Sequence, residues 1–296
     1  MFGLFTKKSE RPAARPEDVG ALDGFLKQHA AIQMMPETTT RVLRVVNDPS
    51  CNLIALSKLI TQDAALAGSI MKAVNSSFYS LESKVTRLDR AVTYLGLRTV
   101  KEITLSAAVG TMFKPAKLGK YDARSLWDHS VGVAILAREL AVVSKCCDTE
   151  EAFLAGILHD IALPLLAQSE PAKLATLFAE AEDAQIAFPE LEWKTFNFDH
   201  TQLGARLASQ WALAEGLSAV IRWHHAPADA PDAHKALCAC VYLADTLCAR
   251  ASVGCPLTSV AQNLDDENFS ALGLDREKAE AIAAKLPLLL RLYLSF

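Results

Sequence analysis

The sequence predicts an all-α protein, and three observations lead to that prediction. Apolar residues recur at three- and four-residue spacing along most of the chain, as they do in helices with one buried face. No segment alternates apolar and polar residues over a useful strand length. No Asn-Gly or Asp-Gly pair joins two strand-like runs, so β-hairpins are not predicted.

The N-terminal part of the chain is predicted to form several short helices. Residues with helical spacing occupy 38–46, 53–60 and 64–74. The turn sequences NDPS and TQD lie between them, and their polar side chains are suited to capping the helices that follow. A further helix in RLDRAVTYLGL is predicted to close at Gly96, and LRTVKEITLSAAVGTMF then begins a long helix.

Domain organisation is predicted from one interruption of this pattern. The segment KPAKLGKYDARS, residues 114–125, places Pro, Gly and Lys between apolar helical segments. We expect a flexible leader at 1–22, an N-terminal helical subdomain at 23–120, and a second helical subdomain at 121–296. The last of these ends in KLPLLLRLYLSF, predicted to be an amphipathic terminal helix.

The composition and charge of the chain argue against several classes of protein. Among 296 residues, 51% are apolar, and 30 basic against 34 acidic residues give a formal charge of -4. That balance argues against a dedicated nucleic-acid binder. It leaves small phosphorylated ligands open, because such ligands need only a local site. The sequence shows no apolar run of membrane-spanning length and no secretory signal, which predicts a cytoplasmic protein without a membrane span. Its seven cysteines form no C-x-x-C pair and are interpreted as reduced core thiols.

The segment AGILHDIALPLL, residues 155–166, contains an unusual pair. His159 and Asp160 are the only ionisable residues between Glu151 and Glu170, and we expect both on an apolar helix. A buried carboxylate costs several kcal/mol unless a partner compensates for its lost hydration. Asp245, alone in the apolar helix CVYLADTLCAR, raises the same problem.

A metal centre would supply the missing partner. Imidazole and carboxylate groups bind Mn, Fe, Zn and similar divalent ions, and a carboxylate can bridge two ions. One or two ions are therefore expected. The predicted ligands are His129, His159, Asp160, His200, His224, His225 and Asp245.

Two alternatives to a metal centre remain open. Each histidine taken alone can be an ordinary hydrogen-bonded residue, and together they can form a metal-free polar network. Asp160 can instead cap a neighbouring helix or pair with Arg222 or Arg206.

Several of these motifs, in this order, resemble a known family. The order of His129, His159–Asp160 and Asp245 resembles the metal signature of the HD phosphohydrolase superfamily. The later histidines resemble the additional ligands of its HD-GYP cyclic-di-GMP phosphodiesterases. The fuller resemblance, over about residues 25–285, is to the HDOD domain, the HD-related output domain of bacterial signalling proteins. It is carried by MMPETTTRVLRVVNDPS, LSKLITQDAALAGSIMKAVNSSFYS, LDRAVTYLGLRTVKEITLS, LWDHSVGVAILAREL, EEAFLAGILHDIALPLL and IRWHHAP.

The resemblance implies an N-terminal helical subdomain packed on an HD-like helical core, in a cytoplasmic regulatory protein of bacteria. It implies output through contact with another signalling protein, with residues 35–105 as the expected contact surface. Departures from the catalytic HD-GYP pattern favour this non-catalytic role. Ala162 and Leu163 stand where those enzymes carry Gly and Lys, and Ala-Pro-Ala-Asp replaces their Gly-Tyr-Pro loop. Ala64 also stands where the HDOD pattern often has Pro.

The rival expectation is a metal-dependent phosphohydrolase that acts on cyclic-di-GMP or another nucleotide. Such an enzyme would need a basic residue in place of the missing lysine, and Arg222 is the candidate. Asn75, polar in an apolar context, is a second candidate ligand contact, although helix termination also explains it.

Overall fold

The computed structural model describes residues 17–30, 37–46, 48, 50–76, 79, 81 and 83–293, with side chains described through residue 290. Most of the predicted leader, residues 1–16, lies outside these residues. The leader was predicted to extend to residue 22, and this boundary is wrong. A helix already begins at Val19, because the Asp18 carboxylate caps it by accepting a hydrogen bond from the amide of Ala21 (3.0 Å).

The predicted all-α class is confirmed. In chain order the first helices are α1 (Val19–Gln28), α2 (Glu37–Val46), α3 (Leu53–Thr61), α4 (Ala64–Val74), α5 (Leu88–Gly110), α6 (Ala123–Ser144), α7 (Thr149–Leu158) and α8 (Leu163–Ser169). The later helices are α9 (Pro171–Ala184), α10 (Phe188–Phe196), α11 (His200–Gln210), α12 (Glu215–Trp223), α13 (Lys235–Arg250), α14 (Asp266–Ser270), α15 (Arg276–Ala283) and α16 (Leu286–Tyr293). Short 3-10 helices lie at Pro227–Asp229, Asp232–His234 and Pro256–Ser259.

The predicted interruption at 114–125 contains the sheet found among the described residues. Strands β1 (Lys117–Leu118) and β2 (Tyr121–Asp122) pair antiparallel, with Leu118 opposite Tyr121. Gly119 makes the turn at a φ of 69°, a left-handed value that glycine adopts without a steric penalty. Two residues are too few to show a strand pattern, so the sequence gives no sign of this hairpin.

Contacts between Cα atoms divide the chain into two compact units. The larger contains residues 1–34 and 113–286, and the smaller contains 35–112 and 287–296. The division near residue 112 lies close to the predicted boundary at 120. Helix α1 belongs to the larger unit, although the sequence suggested grouping it with the N-terminal helices.

The smaller unit shows how local sequence signals place its helices. Asn52 caps α3 and Asp63 caps α4, each through its side-chain oxygen. The first cap lies just after the predicted NDPS turn, and the second is the last residue of the predicted TQD turn. Helix α5 is broken at Gly96, where φ is 77°, so the predicted helix end is correct and a second helical segment follows directly.

The larger unit is built on the close packing of α6 with α7 and α13. A Cβ atom added to Gly156 of α7 would lie 2.5 Å from the Cα of Ala134 in α6. A Cβ on Gly132 of α6 would lie 2.6 Å from the Sγ of Cys248 in α13. These two glycines therefore let the three helices approach more closely than side chains would allow, and the helices bring distant functional residues together.

One apolar segment has the length and composition of a membrane span. Among the described residues it covers Thr149–Ser169, although no apolar run of membrane-spanning length was expected from the sequence, and 89% of its most apolar window is buried within the protein. The segment consists of α7 and α8 separated by a turn. The bent pair α3 and α4 passes the same test only if the two are taken as one span, and they meet at 119°. Core helices of soluble proteins have these properties too.

Candidate metal centre

The His159–Asp160 pair lies in a turn and not within a helix, so that part of the prediction is wrong. Helix α7 ends at Leu158, and α8 begins at Leu163 with Pro164 in its first turn. Proline lacks the amide hydrogen needed to continue a preceding helix, and it suits the first turn of a new one. Both side chains of the pair are nonetheless buried, His159 at 1% and Asp160 at 4% exposure.

The carboxylate of Asp160 is surrounded by imidazoles but is not hydrogen-bonded to the described residues. Its Oδ2 lies 3.2 Å from Nε2 of His159. Its Oδ1 lies 3.3 Å from Nε2 of His200 and 3.4 Å from Nε2 of His224. These contacts lack hydrogen-bond geometry, and both oxygens are buried. Burial favours the protonated acid, but the surrounding imidazoles, with His159 foremost, outweigh it and hold the pKa of Asp160 well below its usual range.

Two of these imidazoles are held with their Nε2 atoms facing the carboxylate. Nδ1 of His159 donates to the carbonyl of Gly156 at 2.8 Å. Nδ1 of His224 donates to the carbonyl of Val220 at 3.1 Å. A proton on Nδ1 leaves the Nε2 lone pair free, and metal-binding histidines are commonly fixed in this way. Burial also lowers the pKa of His224, which keeps that imidazole neutral.

His200 is held by Glu192, a residue that the sequence analysis missed. The Glu192 carboxylate accepts hydrogen bonds from Nδ1 of His200 at 2.5 Å and from its backbone amide at 3.0 Å. Burial opposes a charged imidazole, but the charge of Glu192 outweighs it and raises the pKa of His200 to about 9. Glu192 lies four residues after Phe188 on the buried face of α10. An acidic residue at a position that the spacing of apolar residues assigns to the buried face of the helix was therefore the sequence feature that could have identified Glu192.

Asp245 has protein partners for both of its oxygens. Its Oδ1 accepts hydrogen bonds from Nε2 of His129 (2.9 Å) and from the hydroxyl of Ser259 (2.5 Å). Its Oδ2 accepts one from the side-chain amide of Gln262 at 3.0 Å. Burial opposes the imidazolium, but the Cys248 thiol and this carboxylate outweigh it and raise the pKa of His129 well above its usual range. The burial of Asp245 is thus compensated by side chains, as the metal-free alternative requires.

His225 occupies the outer side of the cluster. Its Nε2 lies 3.0 Å from Nε2 of His200, and its Nδ1 accepts a hydrogen bond from the amide of Gln262 at 2.5 Å. An acceptor at Nδ1 implies a proton on Nε2, so this tautomer presents no lone pair to the cluster. Burial, and then the neighbouring imidazoles of His224 and His200, lower the pKa of His225 well below its usual range.

The potential ligand atoms fall into two groups that share Asp160. One consists of Asp160, His200, His224 and His225, and the other of His129, His159 and Asp160. Within each group, one ligand atom from every residue lies within 4.8 Å of all the others. A carboxylate shared by two such groups is the arrangement that two-metal sites use as a bridge. Asp245 adjoins the second group through His129.

The buried, unsatisfied carboxylate provides a test of whether a cation fits. Leaving a buried charged oxygen without partners costs about 1–3 kcal/mol or more. A divalent cation would compensate for that cost, and the imidazole nitrogens facing the same point complete a typical nitrogen and oxygen ligand set. The donor set around Asp160 therefore fits a divalent metal ion.

Arg222 and Asn75, the two residues predicted to contact a ligand, both bind protein groups other than Asp160. Arg222 stacks on Trp223, with 4.3 Å from its guanidinium carbon to the ring centroid, and donates to the hydroxyl of Thr201 at 3.0 Å. Arg206, the other suggested partner of Asp160, pairs with Asp23 at 2.5 Å.

Asn75 lies in the smaller unit and closes α4. Its amide donates to the carbonyls of Met71 (2.9 Å) and Val85 (2.8 Å), and its oxygen accepts from the amide of Val85 (2.8 Å). These bonds fasten a loop to the end of the helix, which is the helix-termination role.

A cavity of about 630 Å³ reaches His225. The charged residues that line it are Asp232, Asp265, Glu267 and Lys235, that is, three carboxylates and one lysine among the described residues. Such a lining opposes the approach of a ligand with several phosphate charges.

Comparisons with known proteins agree with this architecture. A solved HDOD domain protein of unknown function from Geobacter sulfurreducens is similar, with a TM-score of 0.78, 24% identity, and 94% and 97% of the two chains covered. A Marinobacter aquaeolei protein provisionally named a signal transduction protein has a TM-score of 0.75 at 19% identity, covering 99% of this chain and 67% of its own. A Shewanella amazonensis protein provisionally named a phosphohydrolase has a TM-score of 0.67 at 24% identity, covering 93% and 97%. At these identities the similarity shows a shared fold.

The family relationship rests on the sequence. An uncharacterized protein of Treponema pallidum is 25% identical over 215 residues, which is 72% of this chain. The chain spans about two fifths of the length of that curated relative, 41%. The HDOD domain matches residues 32–227, more than half of the chain. The chain therefore belongs to the HDOD domain family.

Proposed function

We propose that this chain is a cytoplasmic bacterial signalling protein that acts through contact with another protein. In this proposal the cluster around Asp160 binds one or two divalent ions and does not hydrolyse phosphodiesters. The observation that carries the metal part is the buried Asp160 carboxylate, which has no hydrogen-bond partner among the described residues and faces three imidazole Nε2 atoms.

The residues proposed to hold the metal have a donor atom that faces the cluster, and His200 would release a proton when the ion binds. Asp160 would supply the shared carboxylate, with His159, His200 and His224 as its nitrogen neighbours. His129 would require its bond to Asp245 to be shared with the ion, and His225 would require the other tautomer. Such an ion would supply a fixed positive charge between the residues that follow α7 and α12 and the first residue of α11.

The residues that would handle a phosphate argue against hydrolysis. Ala162 and Leu163 are 1% and 0% exposed and carry no charge. The guanidinium of Arg222 is engaged by Thr201 and Trp223. The adjoining cavity contains three carboxylates against one lysine among its described lining residues. Phosphoryl transfer depends on positive groups around the reacting phosphate, and this site is poor in them.

The protein-contact part is supported by the surface of the smaller unit. Ile54 of α3 is 71% exposed and Tyr94 of α5 is 54% exposed. Both lie within residues 35–105, the region that carries three of the six segments resembling the HDOD domain. Exposed aromatic and large aliphatic side chains are enriched at protein interfaces.

Metal analysis combined with an activity assay tests the proposal. The untagged protein is stripped with a chelator, reconstituted with Mn, Fe or Zn, and assayed for metal content and for cyclic-di-GMP hydrolysis. We expect one or two ions per chain without turnover. The variant Asp160→Asn should lose the metal, whereas the exposed control Asp183→Asn should retain it.

Each outcome has a definite meaning. Turnover by the reconstituted protein that Asp160→Asn abolishes would establish the rival, a metal-dependent phosphohydrolase. Failure of the wild-type protein to retain any of the three metals would leave the metal-free polar network and refute the metal part of the proposal.

A further inference from the structure

Three cysteines meet at the end of α7 opposite the histidine cluster. Cys146 and Cys147 lie in the connection between α6 and α7, and Cys240 lies in α13. The three Sγ atoms are all within 4.8 Å of one another, and those of Cys146 and Cys147 are 3.5 Å apart. The sequence analysis interpreted these residues as reduced core thiols, but Cys146 and Cys147 are partly exposed.

The packing of the larger unit explains why residues so far apart in sequence converge. Helices α6 and α13 pack closely along their length, and the Cys240 thiol contacts the carbonyl of Ala137 in α6 at 3.3 Å. The chain leaves α6 through Lys145 in the left-handed conformation, at a φ of 57°, and turns toward α7. This turn brings the adjacent cysteines over Cys240.

We propose that Cys146, Cys147 and Cys240 bind one thiophilic metal ion of the monovalent copper class. Metal–sulfur bonds of about 2.3 Å in a trigonal arrangement place sulfur atoms about 4 Å apart. The Cys146–Cys147 separation of 3.5 Å is close to this value, and the limit of 4.8 Å for all three pairs means that the ligands would need to move only slightly. Thiolates select soft ions such as Cu(I). Zinc is less suited, because structural zinc sites use four ligands and this cluster supplies three.

The surroundings of the cluster allow an ion to enter and be held. Cys146 and Cys147 are open to solvent in part, whereas Cys240 is buried and fixed by its helix.

This site is separate from the histidine cluster in position and in chemistry. Helix α7 has ten residues and is therefore about 15 Å long, with the cysteines before its first turn and His159 after its last. One site offers sulfur alone and the other nitrogen and oxygen, so spectroscopy can tell their metals apart.

An anaerobic Cu(I) titration of the reduced, untagged full chain against a colorimetric Cu(I) chelator tests the site. We expect one ion per chain to be retained, with X-ray absorption showing three sulfur ligands. Cys240→Ala should lose that ion, and so should Cys146→Ser, whose partly exposed position lowers the risk of misfolding. The matched control Cys238→Ala removes a buried thiol of the same helix and should retain copper, as should Asp160→Asn.

Three results would overturn the proposal. The first is failure of the wild-type protein to retain Cu(I). The second is retention through nitrogen or oxygen ligands, and the third is equal retention by the Cys240→Ala and Cys146→Ser variants. Circular dichroism of each variant checks that a lost ion does not reflect a lost fold.

Discussion

The role of Glu192 can be tested with one conservative substitution. Glu192→Gln keeps the size of the side chain and an oxygen that can accept from Nδ1 of His200, but it removes the negative charge. In the wild-type protein this charge raises the pKa of His200 from 6.5 to about 9. That difference corresponds to roughly 3 kcal/mol of preference for the positively charged ring.

The same charge should strengthen metal binding, because it makes the imidazole a better electron donor and fixes its orientation. Loss of such a supporting residue typically weakens metal affinity about 10- to 100-fold. Competition between the stripped protein and a fluorescent chelator, with Zn or Mn at constant pH, measures this change. Glu190→Gln is the matched control, since it removes a carboxylate of the same helix that pairs with Lys194 near the surface.

Affinity unchanged in Glu192→Gln would refute the positioning role of Glu192. An equal loss in the Glu190→Gln control would show that helix α10 responds to any lost charge. Higher metal affinity in Glu192→Asp than in Glu192→Gln would support the role of the charge. If Glu192 only filled space, the shorter aspartate would not restore the affinity.

Two further outcomes are expected. In metal-free protein, the pKa of His200 is higher in the folded state than in the unfolded state. The charged His200–Glu192 pair therefore contributes its full share to the free energy of unfolding below about pH 6.5, and this contribution is lost as the pH rises to about 9. The difference in unfolding free energy between wild type and Glu192→Gln, measured with urea and a chelator, should shrink over that range; a constant difference would contradict the pairing. Gly156→Ala should destabilise by about 1–3 kcal/mol, since its Cβ would lie 2.5 Å from the Cα of Ala134. Gly68→Ala, with no atom within 4 Å of the added Cβ, should not destabilise in the same urea titration.

Features set by local chemistry were predictable from the sequence. The Asp63 cap and the helix end at Gly96 depend on neighbouring residues alone, and both were found where expected. The turn at His159–Asp160 was missed because the residues on both sides are buried. A fully buried helix loses the apolar–polar periodicity that marks its limits. Pro164 was the remaining sign of a new helix.

Features set by tertiary packing were predictable only in part. The structure brings His129, Asp160 and the later histidines together, as the sequence suggested from their residue types. Gln262, which bridges Asp245 and His225, lies in an irregular segment without a distinctive pattern. The convergence of Cys240 with the vicinal cysteines depends on how α6 and α13 pack, and no spacing in the sequence encodes it.

A crystal structure of the metal-reconstituted protein, with data collected at the absorption edge of the added metal, tests the central claim most directly. An anomalous peak within coordination distance of an Asp160 oxygen and of Nε2 of His159, His200 or His224 is the predicted result. A second peak sharing the Asp160 carboxylate would establish the two-ion form. A map without a peak at Asp160, from protein soaked with Mn, Fe and Zn in turn, would contradict the claim.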